Sequence, residues 1–94
     1  MNLQDFNNSL SQNIPPGGAS DYLKSLWYDG KGNWQKAHEL IQDIEDKSAA
    51  WIHAYLHRKE GDIWNADYWY SRAGKKRPSV SLNEEWNDIV EAML

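Results

Sequence analysis

The chain has 94 residues, 40% of them apolar, a net charge of −4 and an isoelectric point near 5.2; this fits one domain with a modest core, and the acidic balance argues against nucleic acid as partner. With no cysteine, a disulfide framework and a thiolate metal site are both excluded. No apolar run approaches the roughly 20 residues that span a bilayer, and Met1 is followed by polar residues rather than a basic-then-apolar leader, so a cytoplasmic location away from membranes is expected.

Leu3, Phe6 and Leu10 are spaced as on one face of a short N-terminal helix. It must stop before Pro15-Pro16-Gly17-Gly18, a linker that completes residues 1–18. Ser20 is a candidate N-cap for a helix carrying Tyr22, Leu23, Leu26 and Trp27, which Gly30 and Gly32 end by supplying positive φ. Asn33 caps the next helix, whose stripe is Trp34, Ala37, Leu40, Ile41 and Ile44. After the polar Glu45-Asp46-Lys47 turn, Ser48 is a candidate cap for a helix through Trp51, Ile52, Tyr55 and Leu56. Gly61 and Asp62 open a further helix with Ile63, Ala66, Trp69, Tyr70 and Ala73 on its core stripe and Trp64 and Tyr68 off it. Pro78 breaks the chain. Ser81 and Glu84 then fit a capping box, ahead of an amphipathic helix with Leu82, Trp86, Ile89, Val90 and Met93 suited to sealing the last repeat.

One segment occurs twice. Residues 32–44 align without a gap on residues 61–73, an offset of 29 that matches glycine to glycine, Asn33 to Asp62 and Ala37 to Ala66. The same offset carries Tyr22, Leu23, Leu26 and Trp27 onto Trp51, Ile52, Tyr55 and Leu56. Residues 19–47 and 48–76 therefore read as two helix-turn-helix units, with residues 79–94 as a capping helix. Such units bury their apolar faces against their neighbours.

At Gly61-Asp62-Ile63, followed by Ala66, Trp69, Tyr70 and Ala73, the chain resembles the second helix of a tetratricopeptide (TPR) repeat. The stretch from Trp51 to Gly74 is also similar to a group of small uncharacterised bacterial proteins. The TPR resemblance implies an all-α fold: two TPR-like units in a right-handed α-α superhelix, flanked by the short N-terminal helix and the capping helix. It also implies a protein-interaction or scaffold role without catalysis, the partner being a protein, a peptide or a second copy in a homodimer. The first helix of each unit would present the binding face, so Trp51, Tyr55 and Arg58 are expected to be exposed there as anchors. Trp64 and Tyr68 form a second aromatic patch if the C-terminal helix leaves them uncovered.

The alternative is chemical. His53 and His57 stand at i and i+4, which places both imidazoles on one helix face. His38 lies on the preceding helix, and Glu60 is expected on the face of His53. Three histidines, or two with a carboxylate, suit a divalent metal such as zinc, in a metal-binding protein or a metal-dependent enzyme. The three histidines align with Asp67, Lys24 and Tyr28 in the other copy, so packing common to both units does not explain them. The competing reading is that these rings are ordinary hydrogen-bonding groups in the helix packing.

Overall fold

Six helices and no strand make up the computed structural model, which describes residues 1–94: α1 (Leu3–Ser9), α2 (Asp21–Gly30), α3 (Trp34–Ile41), α4 (Lys47–Lys59), α5 (Ile63–Arg72) and α6 (Leu82–Met93). Local chemistry starts each of them. Ser20, Asn33, Asp62 and Ser81 accept from the backbone N–H three residues on, satisfying a donor the helix cannot. α4 departs from expectation. Its cap is Asp46, whose carboxylate accepts from the Ala49 N–H at 2.7 Å, and Ser48 lies inside the helix. Ser81 makes only its own half of the predicted capping box, whereas Asn2 and Asp5 form a reciprocal one on α1.

The duplicated glycine turn is the same structure twice. Gly32 and Gly61 have φ of 84° and 87°, a region that costs other residues about 1–2 kcal/mol. The Asn33 N–H reaches Tyr28 O at 2.8 Å, and the Asp62 N–H reaches His57 O at 3.0 Å, 29 residues along. Gly30, expected to share this role, instead remains helical. Its requirement is space: a Cβ there would stand 2.9 Å from Leu10 Cδ2 and 3.3 Å from Trp86 Cζ2.

Packing pairs α2 with α3 and α4 with α5. The main core joins Phe6, Leu26, Trp27, Ile41, Ile52, Leu56, Trp86 and Ile89, so it draws on α1, α2, α3, α4 and α6. A smaller cluster of Ala54, Ala66 and Tyr70 seals α4 to α5. Ile63, expected on the α5 core stripe, lies at the surface instead. Four indole N–H groups tie elements together, because a buried ring still needs a partner for its one polar atom. Trp27 donates to Ser9 O, Trp34 to Leu56 O, Trp51 to Glu85 Oε2 and Trp86 to Leu26 O, at 2.8–3.2 Å.

α6 does not take the position expected of a seal on the last helix. It packs against α4, α2 and α1, across the face that the first helix of each unit was expected to leave open. Glu85 anchors it there. That carboxylate is only 1% exposed and accepts from Arg58 Nη1 at 2.8 Å, Trp51 Nε1 at 3.2 Å and the Tyr70 hydroxyl at 2.7 Å. A second buried carboxylate, Asp29, accepts from the Tyr55 hydroxyl at 2.6 Å and Lys59 Nζ at 2.9 Å.

Candidate metal centre

α3 and α4 cross at three imidazoles. His38 sits in the last turn of α3, which Asn33 starts by accepting from the Lys36 N–H at 3.0 Å. His53 and His57 project from one face of α4, a turn apart. His38 Nε2 lies 3.0 Å from His53 Nε2. Taking one ring nitrogen from each residue, all three lie within 4.8 Å of one another. Tetrahedral zinc with Zn–N bonds of about 2.0–2.1 Å needs nitrogens separated by about 3.3 Å. The His38–His53 pair, at 3.0 Å, is already slightly closer than that.

The rings are held from both sides. Trp34 stacks on His38 with centroids 4.9 Å apart, and Trp69 of α5 stacks on His53 at 3.9 Å. His53 and His57 are each 7% exposed, and His38 is half-buried. Burial lowers the pKa of His38, reinforced by His57 and opposed by Glu60 and Glu39. Burial pushes His53 further, to about 3, with His38 and His57 adding to the effect. Neutral imidazole is the form that binds a metal, and the junction favours it for these two rings. In the hydrogen bond between them one Nε2 donates and the other accepts; to offer both Nε2 lone pairs to a metal, the donor ring would shift its proton to Nδ1 and stay neutral.

Glu60, expected on the face of His53, meets the cluster at His57. Its Oε1 is 2.9 Å from His57 Nδ1, so it meets the third ring through that nitrogen and is not grouped with His38 and His53. It is the C-cap of α4, and i,i+3 spacing carries its carboxylate back over His57. Asn65 Nδ2 lies 3.4 Å from His57 Nε2. The sequence pattern marked the histidines and the His57–Glu60 spacing. It carried no sign that Trp34 and Trp69 would sandwich the cluster, because both read as core-stripe residues.

The expected partner-binding face is occupied. Tyr55 is 2% exposed with its hydroxyl on Asp29, Arg58 donates to Glu85 and to Val80 O, and Trp51 is half-buried against Glu85. The reasons are α2, whose Asp29 takes the Tyr55 hydroxyl, and α6, whose Glu85 takes Arg58 and Trp51. Asp67 pairs with Arg77 at 3.0 Å. Trp64 and Tyr68 remain at the surface, 83% and 49% exposed, with Arg72 Nη1 donating to the Tyr68 hydroxyl at 3.2 Å. Four surface clefts of about 340–650 Å³ are lined by other residues and not by the three histidines. No protein-family model, curated protein or solved structure matches this chain.

Proposed function

We propose that this protein binds one divalent transition-metal ion, such as zinc, through His38, His53 and His57 on a scaffold of two TPR-like helical hairpins. The observation that carries the reading is the convergence of three imidazole nitrogens within 4.8 Å from helices of different hairpins. Three nitrogen donors of intermediate softness suit zinc, copper, nickel or cobalt better than magnesium or calcium, which prefer oxygen. The site lies at a helix junction with His53 and His57 each 7% exposed, and this favours a structural or sensing role over turnover of a substrate. The ion would tie α3 to α4, joining the two hairpins where His38 and His53 already touch.

Zinc titration of chelator-treated protein checks this. One equivalent should bind by calorimetry. At a free zinc concentration near 100 times the Kd, linkage adds about 2.7 kcal/mol of stability, a rise in Tm of about 10–20 °C for a domain of this size. Absence of both heat and thermal shift with zinc, copper, nickel and cobalt sinks the reading.

A second reading, interaction through α5, is favoured by one observation. Trp64 is 83% exposed beside Tyr68 and Ile63, and a large indole left in water is a common interface anchor. A second copy of the chain is the simplest partner, since an isologous contact needs only one such patch. Sedimentation should then show a dimer that Trp64→Lys converts to monomer. A wild-type protein that stays monomeric at millimolar concentration removes self-association.

A further inference from the structure

The geometry points to Glu60 as a positioning residue for the metal centre, one that selects the tautomer of His57 and lowers the net charge of the site. This inference rests on the three-histidine reading and assigns Glu60 a place outside the ligand set. An ionised carboxylate only accepts hydrogen bonds, so at 2.9 Å from Glu60 Oε1 the Nδ1 of His57 is the donor. In a neutral ring that leaves Nε2 as the bare lone pair, the atom available to a cation. Asn65 is consistent with this tautomer: its amide Nδ2, a donor, lies 3.4 Å from the same Nε2 and equally far from Asp62 Oδ2, a long contact that a cation at Nε2 would replace.

Glu60 is itself held in place. It caps α4 in helical conformation, its backbone N–H donates to Leu56 O, and the chain then turns sharply at Gly61. The backbone therefore presents the carboxylate to His57 from a fixed point, while the side chain itself is 38% exposed and meets His57 alone. The charge argument runs the same way. Three neutral imidazoles leave a divalent ion with its full +2 at a junction where two rings are 7% exposed, and such a charge is costly without a counter-ion. Glu60 supplies one negative charge through the ring it orients, the arrangement by which carboxylates raise the basicity of metal-bound histidine. A purely structural Glu60 would be an i,i+3 ion pair at a helix end, with no effect on a metal.

The test compares wild type, Glu60→Ala and Glu60→Gln by cobalt(II) titration, with absorption spectra, and by nitrogen-15 NMR of the imidazoles in metal-free protein. Glu60→Ala should weaken cobalt binding about 10–100-fold, the usual range for such outer-sphere carboxylates. Glu60→Gln keeps an acceptor for Nδ1–H and loses the charge, so its affinity should fall between the two. In wild type the NMR spectrum should show His57 protonated on Nδ1, and this preference should weaken in Glu60→Ala. A wild type that binds cobalt together with a Glu60→Ala variant of unchanged affinity overturns the role of Glu60 and leaves the metal centre standing. Protonation of His57 on Nε2 in wild type overturns it without any variant. A wild type that binds no cobalt, zinc, copper or nickel removes the metal centre, and the role of Glu60 falls with it.

Discussion

Replacing His53 with Ala should weaken metal binding by more than about 100-fold, since loss of an outer-sphere partner alone costs roughly 10–100-fold. His53 is the central ring of the cluster: its Nε2 is 3.0 Å from His38 Nε2, and its centroid is 4.8 Å from that of His57. Without it, His38 and His57 come from different helices with centroids 5.4 Å apart, and two donors seldom hold zinc in a protein site. The substitution also leaves a gap beneath Trp69, which stacks on this ring at 3.9 Å. About 2 kcal/mol of stability should be lost from that gap with or without metal. The discriminating quantity is therefore the difference in Tm between zinc-loaded and chelated protein. It should be large for wild type and collapse for His53→Ala. His38→Ala should collapse it too, at lower cost to the metal-free fold because His38 is only half-buried. A His53→Ala variant that keeps wild-type zinc affinity contradicts the three-histidine site.

Glu85→Ala should destabilise the protein by about 3–5 kcal/mol, the range for removing one partner of a buried ion pair. The loss goes beyond the carboxylate itself. Arg58 keeps its contact to Val80 O but loses its counter-charge, and its side chain is only 16% exposed. The Tyr70 hydroxyl loses its acceptor; burial, with Glu85 beside it, raises that phenol's pKa well above its usual value, so the group stays a neutral donor. The Trp51 N–H loses its acceptor as well. Each orphaned buried donor costs about 1–3 kcal/mol. Chemical denaturation measures the loss directly, and Trp51 should become more solvent-exposed, with red-shifted fluorescence, as α6 loosens. A Glu85→Ala protein within about 1 kcal/mol of wild type would show that apolar packing of Trp86, Ile89 and Val90 alone holds α6. The same comparison reports on the covered face, because Tyr55 and Arg58 become available only when α6 is displaced.

These two side chains show where sequence reasoning stops. The histidines were conspicuous because they break the 29-residue repeat, and His53 and His57 share a face by helix geometry alone. Whether His38 would meet them depended on how α3 crosses α4, which no local pattern encodes. Glu85 was invisible: a glutamate in the first turn of an amphipathic helix reads as a solvated, dipole-favoured charge. It is buried because α6 lies across α2 and α4 instead of against the end of α5. Gly30 illustrates the same limit, reading as a turn glycine while serving as a gap for Leu10 and Trp86.

By itself the sequence determined what is local in range: six helices, most of their caps, and the glycine turn used twice. Those features depend on backbone donors within four residues of a side chain and on one φ angle. Only the tertiary structure decided which faces meet. Long-range packing buried Tyr55, tied Arg58 to Glu85 of α6, left Trp64 in water, and brought three imidazoles from two hairpins together. Burial and the mutual approach of groups distant in sequence set those outcomes, and both are properties of the assembled chain.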